Sequence, residues 1–199
     1  ARIGFVTYVA RELRVDVRFH VSVISARFSK PTRLTLFLIT RVIGYVLRYP
    51  DIGPRYSKGY DMPPCSYADA SHWITRDSLN WSGWVISWAG AFIIAGSKKQ
   101  SSVARSASAS ELLASSLAFF ETECFRVSLY YLFPDAVPSP QLCYADNSGH
   151  IFAVRTDTTK NTRHMAVHLN YCRDRVRKNS IALVQVSTAD MLADFFTKA

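Results

Sequence analysis

Between residues 15 and 28 the apolar positions Val17, Val21, Ile24 and Phe28 recur every three or four residues, the period of a helix with one buried face. Asp16 stands near its start and Lys30-Pro31 at its stop. A second helix is expected to open at Pro31-Thr32. Leu34, Phe37, Leu38, Val42, Tyr45 and Val46 share one face of it, and "YPDIGP" at 49–54 ends it. A Pro/Gly-rich linker then runs from roughly Pro50 to Pro64. Beyond it the pattern changes to aromatic and β-branched runs. "SYAD" at 66–69 reads as a strand, and "SGWVISWAGAFIIAG" at 82–96 as a hairpin broken at Ala89-Gly90. "ASASELLASSLAFFETECF" at 107–125 has the propensity of a helix and an apolar stripe through Leu113, Leu117, Phe120 and Cys124.

"PSPQLCYAD" at 138–146 reads as a second buried strand and "SGHIFAVR" at 148–155 as a short helix. A long polar helix over 162–179 and a strand over 180–187 follow. "STADMLADFFTKA" at 187–199 closes the chain as a helix that Ser187 or Thr188 would cap. This order describes an α/β fold, a mixed sheet with flanking helices, in which two Tyr-Ala-Asp strands lie parallel and side by side, joined through the helix bearing Glu111. It also divides the chain into a small helical module at 1–58 and an α/β unit at 59–199.

Composition adds a size and a charge pattern. The chain has 199 residues, 49% of them hydrophobic, enough for a real core. It holds no run of 18 apolar residues and no apolar leader, so neither a membrane span nor a secretory signal is expected. Cys65, Cys124, Cys143 and Cys172 are scattered without a C-x-x-C pair, which suggests reduced, buried thiols in an intracellular protein of cytoplasm or nucleus. The net charge of +9 is concentrated at one end: residues 1–58 hold 11 Lys/Arg against 3 Asp/Glu, and the rest 13 against 12. A polyanionic partner such as nucleic acid and a merely solvated arginine face are the two readings of that asymmetry.

Polar groups at the carboxyl ends of adjacent parallel strands converge on one crevice. Asp69 and Asp146 are expected to meet there, and two such carboxylates repel unless a cation bridges them. With Glu111 on the crossover helix and Asp194 near the C-terminus they would form an oxygen-only site suited to magnesium. Taken singly, an Asp after a strand is more often a turn or cap residue than a metal ligand, Glu111 is equally a surface helix residue, and Asp194 a first-turn acid favoured by the helix dipole. His164 and His168 have the spacing of a zinc pair but no third ligand, and a solvated helix face is the preferred reading. Lys98 and Lys99 in "GSKKQ" at 96–100 would hold phosphate oxygens or simply charge a turn.

Six segments carry a more specific signal: "YADASHW" (67–73), "SGW" (82–84), "GSKKQSSVARSASASELLA" (96–114), "YADNSGH" (144–150), "TRHMAVHLNYCRD" (162–174) and "MLADFFTKA" (191–199). Together they resemble "YSDADWAG", "SGY", "SWSSKKQ…SSTEAEYIA", "CDNQSAI", "RTKHIDVRYHFIRE" and "LADIFTKPL" of the Pol polyproteins of copia-type LTR retrotransposons. The resemblance is to the C-terminal part of Pol, the end of the reverse transcriptase and its ribonuclease H domain. It extends to the N-terminal third, whose helices are similar to the thumb or connection region.

The resemblance implies a ribonuclease H-like five-stranded mixed sheet and a magnesium-dependent endonuclease that cuts the RNA strand of RNA–DNA hybrids. It carries the metal-binding acids onto Asp69, Glu111, Asp146 and Asp194, holding two magnesium ions, or manganese in their place. Asp69 would bridge both ions, Glu111 and Asp146 serve the leaving-group side, and Asp194 the water side. Nucleic-acid contacts would come from Lys98, Lys99, Gln100 and Arg76, and the partners would be the hybrid and the rest of a reverse transcriptase. Ala109, Ala166 and Asn170 replace family acids and a histidine, and no polymerase "YxDD" is present. The alternative is an inactive remnant or co-opted domain that binds nucleic acid or a protein through the basic third.

Overall fold

The computed structural model describes residues 2–59, 62–71, 79–137, 139–157 and 165–198. Three helices come first: α1 (Arg2–Glu12), α2 (Arg18–Ser25) and α3 (Arg33–Arg48). The helix opens at Thr32 as the sequence suggests, and Thr32 caps it through a capping box with Thr35. The first helix expected is shorter than its apolar spacing implies, since Val15–Val17 form a 3-10 turn before α2. Helix α1 left little periodic signal, since Val6 and Ala10 are the buried ones among its described side chains. These two residues join Val17 and Val21, with Val42, Ile43 and Val46 of α3 packed against them, in a small apolar cluster.

Arg14 shows that part of the basic charge is structural. Its guanidinium is buried, donates to the Val46 and Tyr49 carbonyls at 3.3 and 2.8 Å, and pairs with Asp16 at 2.8 Å. The helical region also touches the sheet: the Phe19 ring of α2 meets Trp81 edge-on, with centroids 5.7 Å apart.

The sheet has five strands, β1 (Cys65–Ser71), β2 (Trp81–Trp88), β3 (Ala91–Lys99), β4 (Gln141–Ala145) and β5 (Ile181–Gln185), in the order β3-β2-β1-β4-β5. The β1-β2-β3 portion is antiparallel, and β4 and β5 run parallel to β1. This is the mixed five-stranded sheet the sequence predicts. The β2–β3 hairpin turns at Ala89 and Gly90, both at positive φ (53° and 80°), the two-residue turn that matches strand twist. The Tyr-Ala-Asp strands are in register as well as adjacent. Tyr67 pairs with Tyr144, and their rings stack with centroids 4.9 Å apart, so both aspartates reach the same height of the sheet.

Helix α4 (Ala107–Leu132) crosses from β3 to β4 and is longer than its stripe predicts, continuing through Leu129, which is buried. Its buried face is Leu112, Ala118 and Phe119, one residue away from the stripe expected through Leu113, Leu117, Phe120 and Cys124, of which Phe120 and Cys124 are exposed; it covers the sheet together with α5 (Ser148–Arg155) and α6 (Ala166–Arg177). The C-terminal segment is not the single helix expected. It forms two 3-10 turns, Thr188–Asp190 and Leu192–Phe196, interrupted at Met191 (φ −77°, ψ 94°). Met191, Ala193 and Phe196 are all buried, and that spacing cannot be served by one α-helical face. Neither Ser187 nor Thr188 caps a helix there. Ser187 donates to the Asp190 carboxylate and Thr188 to Asp146.

Three cysteines are buried thiols, but Cys124 is exposed on α4, contrary to expectation. No helix among the described residues is long and apolar enough to cross a membrane.

His150 of α5 is fully buried, its Nε2 3.0 Å from the Ser115 hydroxyl of α4 and its Nδ1 without a partner. Burial lowers its pKa to about 4. The unfolded chain protonates near 6.5, so this group's stabilising contribution is complete above pH 6.5 and is lost as pH falls toward 4, at ~1.4 kcal/mol per unit. Urea titrations of the wild type and His150→Gln should show their stability difference shrinking by about 3 kcal/mol across that window. A difference that does not change with pH would contradict the burial of a neutral imidazole.

Candidate active site

Asp69 lies on β1 opposite Gly83 of β2, and Asp146 follows the last residue of β4. Glu111 sits in the second turn of α4, whose N-terminus Ser106 caps by accepting from the Ala109 amide. The parallel pairing of β1 and β4, with α4 packed over it, brings one oxygen from each of Asp69, Glu111 and Asp146 within 4.8 Å of one another. Asp69 and Glu111 are buried, and Asp146 is half-buried. A hydrogen bond at 3.2 Å from Ser108 of α4 to the Asn147 side chain ties the helix to the loop that carries Asp146.

The C-terminal segment supplies the neighbouring groups. Thr197, itself buried, donates its hydroxyl to the second oxygen of Asp69. Asp194 stands beside the group of three and close enough for its charge to act on Asp69. Its own carboxylate is paired with the Lys198 ammonium at 2.6 Å. This segment lies directly on β2 because Gly83 has no side chain: a Cβ there would fall 2.6 Å from the Thr197 methyl and 3.0 Å from the Ala193 carbonyl. Thr197 and Lys198 are site residues that the sequence reading did not single out. The only signal for them is their place in "LADFFTK", with Lys198 four residues after Asp194.

The electrostatics follow from burial. Burial, then the Asp194 charge, raises Asp69 to about 6, against the hydrogen bond from Thr197 and the charge of Lys198. Burial, then the charges of Asp69 and Asp146, pushes Glu111 up to about 9. Glu111 Oε2 is buried and meets no hydrogen-bond donor. Like charges this close, with an orphaned carboxylate oxygen among them, form a site that gains from a hard cation.

The nucleic-acid candidates Lys98, Lys99 and Gln100 differ in exposure. Lys98 is exposed at the end of β3 and Lys99 is half-buried beside it, while Arg76, like His164, lies outside the described residues. Gln100 is only 6% exposed and hydrogen-bonds inward to Ser82 and Ser110, which excludes it as a surface contact in this conformation. A side chain following two lysines reads as part of a phosphate-binding turn, and nothing in the local pattern indicates its inward direction.

No protein-family profile matches the chain. It is 28% identical over 199 residues to the retrovirus-related Pol polyprotein from transposon RE2 of Arabidopsis thaliana, and 26% identical over 198 residues to that from transposon RE1 of the same plant. Each match covers 98% of this chain. The chain is similar to these retrotransposon Pol polyproteins over nearly its whole length. The chain spans only 14% and 13% of the length of those two polyproteins. Among solved structures, ribonuclease H1 from the archaeon Halobacterium salinarum NRC-1 superposes with a TM-score of 0.47 at 16% identity, over 68% of this chain and 95% of its own. LC11-RNase H1 in complex with an RNA/DNA hybrid superposes with a TM-score of 0.49 at 11% identity, over 67% and 93%.

Proposed function

We propose that this chain is the ribonuclease H part of a retrotransposon reverse transcriptase and cuts the RNA strand of RNA–DNA hybrids. The observation that carries the reading is the meeting of Asp69 on β1 and Asp146 just after the parallel strand β4 with Glu111 of α4, with one Glu111 oxygen left unpartnered. An all-carboxylate donor set of this kind fits magnesium, or manganese in its place. When bound, two such ions would activate the attacking water and stabilise the departing 3′-oxygen of the RNA.

The chain's own residues have separable tasks. Asp69, Glu111 and Asp146 hold the cations, and Asp194 completes the set once its carboxylate turns from Lys198. Thr197 fixes the orientation of Asp69 by occupying one of its oxygens. Lys198 offsets the negative charge of the acids, which also favours approach of a phosphodiester. Lys98 and Lys99 contact the backbone, and the hybrid is selected by its 2′-hydroxyls and groove shape. The division at 1–58 and 59–199 belongs to the same proposal: the helical module, with 11 Lys/Arg against 3 Asp/Glu, adds affinity for the polyanion.

Gel analysis of RNA–DNA, RNA–RNA and DNA–DNA duplexes incubated with the protein and magnesium tests the reading. Only the RNA of the hybrid should be cut, and Asp146→Asn should lower the rate on the order of a thousandfold. Binding of all three duplexes with no cleavage of any would favour the inactive, nucleic-acid-binding alternative.

A further inference from the structure

Gln100 does what no surface residue of a phosphate-binding turn does: its side chain joins α4, which carries Glu111, to β2, the strand beside the one that carries Asp69. Its Nε2 donates to the Ser82 hydroxyl and to the Ser110 carbonyl, both at 3.0 Å. Its Oε1 accepts from the Ser110 hydroxyl at 3.2 Å, and that hydroxyl in turn accepts from Asn80 Nδ2 at 3.0 Å. The Gln100 amide closes the circuit by donating to the Asn80 carbonyl at 2.8 Å. All four residues are buried, where a fully satisfied polar network fixes geometry and a broken one is costly.

The ends of this circuit matter. Ser82 pairs with Ala70 across β1 and β2, one step from the Asp69–Gly83 pair. Ser110 immediately precedes Glu111, whose Oε2 has no hydrogen bond of its own to hold it. The Ala70 amide of β1 reaches the Glu111 carboxylate, while the backbone from which Glu111 projects is set by the first turns of α4, and Gln100 clamps that part of the helix to the strand pair bearing Asp69.

We infer that Gln100 is a positioning residue for the acidic site: it sets the separation of Asp69 and Glu111 and thereby the affinity of the site for divalent cations. This rests on the metal-binding reading above. Partners one step removed from a metal commonly change its affinity by about 10- to 100-fold when removed. Gln100 has no part in gripping the hybrid.

Calorimetric titration with magnesium alone, in the absence of nucleic acid, tests the inference on the wild type, Gln100→Met and Leu129→Ala. Met keeps the length and removes every hydrogen bond. Leu129 is buried in the same helix but roughly 27 Å further along it, at the ~1.5 Å rise per residue of an α-helix, and controls for general loss of stability. Gln100→Met should need at least about tenfold more magnesium for half-saturation. Leu129→Ala should bind as the wild type does, even where it melts lower. On an RNA–DNA hybrid, Gln100→Met should lose kcat with KM unchanged. Magnesium affinity within about twofold of wild type in Gln100→Met, or a raised KM at unchanged kcat, overturns the inference while leaving the metal site standing. A wild type that binds no divalent cation overturns both.

Discussion

Glu111→Gln should lower hybrid cleavage on the order of a thousandfold and at the same time raise the melting temperature of the metal-free protein. The two effects have one origin. Glu111 is buried, one oxygen lacks a donor, and Asp69 and Asp146 face it. Its carboxyl is raised to about 9 from an ordinary 4.5, so the folded protein holds a proton that the unfolded chain has released. The group's contribution to stability is complete below pH 4.5 and is lost as pH rises toward 9. At pH 7 the loss amounts to about 3 kcal/mol at ~1.4 kcal/mol per unit, and a glutamine, nearly the same in shape and unable to ionise, removes it. Saturating magnesium should reverse the order, because only the wild type keeps all its carboxylate ligands. Thermal melts at pH 7 with chelator and with magnesium check this, and a variant that melts below the wild type in chelator would contradict it.

Phe119→Ala should have the largest cost to the fold. Phe119 is wholly buried on the face of α4 that covers the sheet, within the same cluster as Cys143, Ile151 and Leu169. Truncating such a ring costs about 3–5 kcal/mol, through lost transfer energy and the cavity left behind. In a chain of this size that corresponds to a fall in melting temperature of roughly 10 °C. The active site should be affected less, since Phe119 lies two turns beyond Glu111, and residual activity below the melting transition should stay near wild type. Calorimetric melting checks the first expectation. A fall of only a degree or two would mean that the core is loosely packed there.

The strands and the acids were the legible part of this chain, for a physical reason. A buried parallel strand ending in Asp leaves a short, dense signature, and two copies of Tyr-Ala-Asp on neighbouring strands bring their carboxylates to one height. The structure adds that the repeated tyrosines stack on each other, so the likeness of the two strands has a packing basis. What escaped the sequence depends on direction and tertiary contact. Gln100 follows two lysines, yet its side chain turns inward to a serine ten residues on. The last segment has helical residues, but burying Met191, Ala193 and Phe196 together forces 3-10 turns. Thr197 reaches Asp69 across 128 residues of sequence, a contact no local pattern encodes.

The most direct measurement is cleavage of an RNA–DNA hybrid labelled on the RNA strand, with magnesium, by the wild type and by Asp146→Asn side by side. The wild type should release labelled RNA fragments with the DNA strand intact, and the variant should release almost none. Equal cutting by both proteins, or no cutting by either, would contradict the assignment of Asp69, Glu111 and Asp146 as the centre of a ribonuclease.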